Sequence, residues 1–335
     1  MQHILDFQPT KQNNLLGLFR SHYAVNHLLL LGYIFIIRFH IFFVTAPAEK
    51  QETTWLFQQI SSLIPNSFFV NVLTIILMWI QAVLINNVVN NHKLSRENSV
   101  LPGLWYVLIF SLVPATASFH PLLLANTFLI LGFVNVIEST KQVDIRHYLF
   151  NAGLFFTIAA FVYTPYIVML LPGFLGFYVF KSLKPSGNLQ FIVGILTGFI
   201  LIFGSYYIIT GQIHAGIYLH FLKPDQLFIM PEISVLVFFG LYLFGLAYSL
   251  LYYPELIFKK NIQTRKKIET AYLVTLFTAV TVILFFDNQI GQIAILAFPL
   301  GTLIGIQTAE NKSILFSEIL HLIFVGGLIY IQFLS

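Results

Sequence analysis

The chain contains no cysteine, which excludes disulfides, zinc–thiolate centres, iron–sulfur clusters and thiol nucleophiles from its chemistry. Charge is scarce as well. Asp, Glu, Lys and Arg make up 9% of the 335 residues, against roughly 25% in a soluble domain. So few ions cannot cover a water-soluble surface. Familiar catalytic signatures are missing: there is no G-x-x-x-x-G-K-[ST] phosphate loop, no H-E-x-x-H zinc helix and no G-x-S-x-G elbow. ATP hydrolysis and the standard serine and zinc hydrolases therefore lack support. No Pro- or Ser-rich linker, no evident internal repeat and no soluble domain interrupts the chain.

What the chain does have is apolar length. Hydrophobic residues are 58% of it, with 36 Phe and 16 Tyr, and the mean hydropathy is +0.84. About 20 apolar residues cross a bilayer as a helix, and in lipid a helix satisfies every backbone polar group within its own segment. The sequence predicts an all-α, polytopic transmembrane bundle of about eleven helical segments, near 27–45, 68–88, 101–114, 119–138, 148–163, 165–180, 190–209, 232–252, 271–286, 289–306 and 315–334. Residues 1–26 are polar, lack a cleavable signal pattern and read as a cytoplasmic N-terminal segment; 27–335 reads as a single transmembrane domain. Segment 101–114 is short, and 148–180 turns at Tyr163-Thr164-Pro165 with almost no loop, so each of these pairs reads either as tilted spans or as a re-entrant hairpin.

The distribution of basic residues tests this layout. With the N-terminus in the cytoplasm and alternating spans, 14 of the 17 Lys+Arg fall in inside connections. Only Lys50 and Lys223 fall outside, and Arg38 lies within the first span. Cytoplasmic loops carry such an excess. It orients the chain in a bacterial inner membrane with its C-terminus in the periplasm, and it accounts for the net charge of +4 without any nucleic-acid partner. The longest inside connection, about 253–270, holds Lys259-Lys260 and Arg265-Lys266-Lys267, which reads as a topology anchor.

Candidate chemistry is confined to a few residues. Arg38 is costly inside a span, so it snorkels to the headgroups, pairs with an acid, or holds an anionic substrate such as a phosphate. His40 points to another side of the same helix. The outer face collects Glu49, Glu52, His120, His214, His220, Lys223, Asp225, Glu232 and Asp287. Their spacing matches no metal-ligand motif, and no metal is expected. One Glu318-x-x-His321 stands on the last segment, where di-iron bundles need two such motifs and two further glutamates; an internal hydrogen-bonded pair is expected there. Gly194/Gly198 and Gly301/Gly305 have the spacing that lets helices approach closely.

Two resemblances follow from particular stretches. Gln81-Ala-Val-Leu-Ile-Asn-Asn and Leu101-Pro-Gly-Leu-Trp-Tyr-Val-Leu resemble an uncharacterised family of Bacteroidetes inner-membrane proteins whose members often carry the label β-carotene 15,15′-monooxygenase. The membrane-bound carotene-cleaving enzymes have His-Gly-x-x-Asp motifs; none occurs here, so that activity is not expected. Over about 101–180, Phe110-Ser-Leu-Val-Pro114, Gly153-Leu-Phe-Phe-Thr-Ile-Ala-Ala and Tyr163-Thr-Pro-Tyr-Ile resemble the GT-C class of polyprenyl-phosphate-dependent glycosyltransferases. That resemblance implies a lipid-linked sugar donor and an acidic base in the first outer connection. Only Glu49 and Glu52 match that position, and the class more often has Asp there. Arg38, His40 and Lys223 would then bind the donor. The alternatives that stay open are a non-enzymatic membrane subunit or assembly factor and, behind it, a transporter. The sequence does not identify a cofactor.

Overall fold

Helix ends explain much of the architecture. The computed structural model describes residues 15–43, 54–64, 67–117, 119–140, 145–180, 185–212, 233–258, 260–285, 290–311 and 313–333. Glu49, Glu52, His214, His220, Lys223, Asp225, Glu232 and Asp287 lie outside them. Thirteen α-helices and several 3-10 turns, with no strand, make up the fold among the described residues. They are α1 (Ala24–Ile37), α2 (Trp55–Ser62), α3 (Ser67–Asn91), α4 (Leu101–Ser111), α5 (Pro121–Glu138), α6 (Arg146–Val162), α7 (Leu170–Phe180), α8 (Pro185–Thr210), α9 (Ile233–Leu251), α10 (Tyr253–Phe258), α11 (Ile262–Leu284), α12 (Ala297–Glu310) and α13 (Ile314–Phe333). Among the described residues, six stretches are long and apolar enough to cross a membrane: Phe68–Asn91, Pro121–Glu138, Gly187–Thr210, Ile262–Leu284, Gly291–Glu310 and Ile314–Gln332.

Several boundaries differ from the sequence reading, each for a local reason. The first span ends as an α-helix at Ile37 rather than near 45. Arg38 leaves helical geometry (φ −104°, ψ 6°), and the chain tightens into a 3-10 turn over Phe39–Phe42. The connection read between 46 and 67 contains α2, which starts where Thr54 accepts a hydrogen bond from the Phe57 amide at 3.4 Å. α11 starts at Ile262, not near 271, because the Asn261 side chain accepts from the Thr264 amide at 2.8 Å. Arg265, Lys266 and Lys267 therefore lie on a helix.

α4 and α12 form the centre. Every residue of α4 is buried, as is nearly all of α12. An 11-residue helix rises only about 16 Å, well short of the roughly 30 Å hydrocarbon core. Enclosure by protein on all sides removes the need for α4 to match the bilayer. The two helices touch backbone to backbone, since a Cβ on Gly301 would lie 2.5 Å from Tyr106 Cα, and one on Gly305 would press still closer on Pro102. Gly194 and Gly198 do the same for α8 against α6, meeting the Phe150 carbonyl and the Thr157 side chain. Both glycine pairs are thus consumed within the chain.

The described part of the N-terminal segment packs on this bundle: Leu16 is buried, the Val100 amide donates to the Phe19 carbonyl at 3.0 Å, and Arg20 Nη2 approaches the Thr308 and Asn311 carbonyls at 3.4 Å each. A cation at the carboxyl end of α12 complements that helix's dipole.

The alternation of helices segregates charge. Arg20, Lys93, Arg96, Arg146, Lys260, Arg265, Lys266 and Lys267 all fall at one end of the bundle, together with every described carboxylate. Among the described residues, Arg38 is the lone ion of the opposite end.

Candidate functional site

At the Arg38 end, α1 stops against the last turn of α4. The Arg38 side chain is fully buried. Its Nε donates to Ser111 Oγ at 3.0 Å, Nη1 to the Thr116 carbonyl at 2.7 Å and Nη2 to Thr116 Oγ1 at 3.3 Å. The Phe110 ring lies 5.8 Å from the guanidinium carbon. Thr116 is held by its own hydroxyl, which reaches the Phe110 and Val113 carbonyls. The arrangement is a clasp of neutral acceptors. It uses three of the five guanidinium N–H donors and provides no carboxylate. Snorkelling to the headgroups, one of the sequence readings of Arg38, is overturned by this enclosure. His40 is half-buried in the turn that follows.

The described residues on either side of 44–53, the stretch that carries Glu49 and Glu52, are each tied to the bundle. On one side Asn71 Nδ2 donates to the Ile41 carbonyl at 2.9 Å. On the other, Thr54 Oγ1 donates to the Val162 carbonyl at 3.0 Å, Trp55 meets the Tyr206 ring edge-on at 5.1 Å and Phe57 stacks on Phe119 at 5.3 Å.

Beneath the clasp runs a polar seam. Tyr106 donates to Gln81 Oε1, whose amide Nε2 donates to the Leu123 carbonyl at 2.7 Å and Thr127 Oγ1 at 2.6 Å. Tyr166 donates to Asn126 Oδ1, and Tyr242 donates to the Ile109 carbonyl at 2.8 Å. Inside a membrane such groups are tolerated where each finds a partner. His120 caps α5, its Nδ1 accepting from the Leu122 amide at 3.1 Å, so the ring proton sits on Nε2. On α13, His321 does not pair with Glu318. Its Nε2 is 2.9 Å from the Tyr33 hydroxyl, and Glu318 Oε1 is buried without a hydrogen-bond partner. The geometric reason is a cross-bundle neighbour: α1 presents Tyr33 to the same face.

The opposite end holds a constellation that sequence reading missed. Lys267 Nζ lies 2.9 Å from His92 Nδ1, and His92 Nε2 lies 3.0 Å from Glu138 Oε1. Lys267 and His92 are both buried. A lysine donor against Nδ1 and a carboxylate acceptor against Nε2 fix a neutral imidazole between an ammonium and a carboxylate. The three residues come from α11, α3 and α5. Nearby, Glu310 at the end of α12 gathers Lys260 and Arg96, the latter through Nε at 3.8 Å and its backbone amide at 2.9 Å. Among the described residues no group of three or more His, Asp or Glu has the arrangement of a metal site.

The fold and these interiors define a multi-pass helical membrane protein with a buried cationic clasp at one end and paired charges at the other. The chain belongs to a family of unknown function, DUF6427, whose model matches residues 53–333. No curated protein and no solved structure matches it.

Proposed function

We propose that the chain is a bacterial inner-membrane protein, N-terminus cytoplasmic and C-terminus periplasmic, that handles a polyprenyl-phosphate-linked sugar at its outer end in the manner of GT-C transferases. In this reading the eleven segments traverse or re-enter the bilayer, and the Arg38 end faces outward. The observation that carries the reading is the charge of Arg38: a buried guanidinium with neutral partners, two N–H donors to spare and no described carboxylate at its end. A buried charge without a counterion is strongly unfavourable, and an arriving phosphate offsets it. Lys223 adds a second cation and His40 a hydrogen-bonding edge. Glu49 or Glu52 takes the proton of the acceptor hydroxyl while the sugar–phosphate bond breaks, and polyprenyl phosphate leaves with the bonding electrons. The test is transfer of radiolabelled hexose from its polyprenyl phosphate to membranes of a strain lacking this chain. Wild-type protein in vesicles should transfer label and the E49Q/E52Q double variant should not; equal transfer by both sinks the reading.

The tightness of the clasp favours a second reading, a non-enzymatic membrane subunit or assembly factor. Three bonds from one guanidinium tie the end of α1 to Ser111 of α4 and to Thr116 in the turn beyond it, as a purely structural arginine does. Under it, wild-type protein transfers no label and a defined partner co-purifies in fixed stoichiometry.

A further inference from the structure

A junction between apolar and polar surface lies at the basic end, far from Arg38, where α9, α11 and α12 meet. A groove of about 370 Å³ runs between α9 and α11, walled by Leu246, Leu250, Leu276 and Ala279 and bounded toward the basic end by Tyr253 and Tyr272. Leu250 and Leu276 are more than half exposed, so the groove opens sideways toward lipid.

Behind it is a polar knot. Gln307 Nε2 donates to the Ser249 carbonyl at 2.8 Å and to the Tyr272 hydroxyl oxygen at 3.0 Å, while that hydroxyl donates to the same carbonyl at 2.8 Å. These bonds fix the amide, because turning it over would set Oε1 against the Ser249 carbonyl. They leave Gln307 Oε1 buried with no hydrogen-bond partner, a costly state for an acceptor. Gln307, only 4% exposed, also lines a cleft of about 120 Å³ with Arg96, Tyr252, Glu255, Glu310 and Asn311. The cleft is lined by one cation, Arg96, and two carboxylates, Glu255 and Glu310, with Lys260 reaching Glu310 and Arg20 reaching the Asn311 carbonyl at 3.4 Å beside them. With both signs at the cleft, a headgroup carrying both signs finds a partner for each.

We infer that this junction binds one phospholipid with a primary-ammonium zwitterionic headgroup, the chemistry of phosphatidylethanolamine. Its phosphate lies against the exposed Arg96, its ammonium donates to Gln307 Oε1 on the way to Glu255, and one acyl chain fills the α9–α11 groove. The missing donor at Gln307 sets the selectivity, since a trimethylammonium has no N–H to give.

Native mass spectrometry of the full chain, released from detergent after incubation with equal amounts of phosphatidylethanolamine, phosphatidylcholine and phosphatidylglycerol, tests this. One ethanolamine lipid should be retained per chain, favoured over choline by about tenfold, the ratio expected of one hydrogen bond to a charged group. Gln307→Leu should erase that preference. Leu276→Trp, at a lipid-exposed position that leaves the interior untouched, should lower retention of all three lipids about tenfold. Equal retention of the three lipids by wild-type protein, a preference for phosphatidylglycerol, or unchanged retention in Leu276→Trp overturns the inference. The last readout stands even where Gln307→Leu fails to fold.

Discussion

Replacing Gly305 with alanine should force α4 and α12 apart at the centre of the bundle. The perturbation is one methyl group, and its neighbours are backbone atoms of Pro102 and Leu101, which cannot rotate away. At Gly301, one turn away on the same face, the added Cβ would stand 2.5 Å from Tyr106 Cα, where ordinary contact begins at 3.4 Å, so relief needs a separation of about 1 Å. A gap of that size forfeits about a quarter to a half of each dispersion contact along the interface, and overpacking of this kind costs about 1–3 kcal/mol. We expect about 2 kcal/mol for Gly305→Ala. The Gly301→Ala/Gly305→Ala pair should cost less than the sum of its parts, because one separation relieves both overlaps. Gly326 and Gly204 provide the control: they are helical, and nothing lies within 4 Å of a Cβ built there. Alanine at either should leave stability unchanged or raise it by up to about 1 kcal/mol through helix propensity. Thermal unfolding in detergent, followed by far-ultraviolet circular dichroism, reads the difference. Equal melting temperatures for Gly305→Ala and Gly326→Ala would refute the backbone-to-backbone contact.

The remaining expectations concern polar groups. Arg38→Lys keeps the buried charge but loses the planar fork that reaches Ser111 and Thr116 together, and should lower stability by about 1–3 kcal/mol; chemical denaturation of the two proteins measures it. Thr54→Val removes the α2 cap and the bond to the Val162 carbonyl, so proteolysis near residues 54–57 should quicken by about fivefold, matching a loss of about 1 kcal/mol. His92→Leu removes the hydrogen bonds to Lys267 and Glu138 that join α3 to α11 and α5 and should cost about 1–3 kcal/mol; adding Lys267→Met should cost less than the sum of the separate losses. Additive losses in that double variant, read by the same denaturation, would mean the two residues do not act as a unit.

The class of protein was legible because lipid imposes it: long apolar stretches, few ions and one-sided basic loops leave little choice but a helical bundle. The glycine pairs were legible too, since a four-residue spacing on a helix creates a flat face whatever packs on it. The chain also stops α6 at Val162, where Tyr163-Thr164-Pro165 breaks the pattern. Other features depend on residues far apart in sequence. Ser111 and Thr116 lie 73 and 78 residues beyond Arg38, and no local pattern marks them as its partners. Lys267 reads as the third member of a loop-like basic run, yet it is buried; the cap at Asn261 turns that run into a helix and rotates Lys267 inward toward His92. Glu318 and His321 share a helix face, but the stronger partner for the histidine comes from α1. Spacing reveals which side chains share a face and does not reveal what the neighbouring helix offers them.

The absence of cysteine makes the orientation of the chain directly measurable. Glu52→Cys, in the segment joined to the Arg38 clasp, and Glu97→Cys, exposed at the basic end, should each be the lone thiol of its protein. A membrane-impermeant maleimide applied to spheroplasts should label Glu52→Cys at once and Glu97→Cys only after the membrane is opened. Labelling of Glu97→Cys in sealed spheroplasts, with Glu52→Cys protected, would place the basic end outside and contradict both the orientation and the outward-facing site.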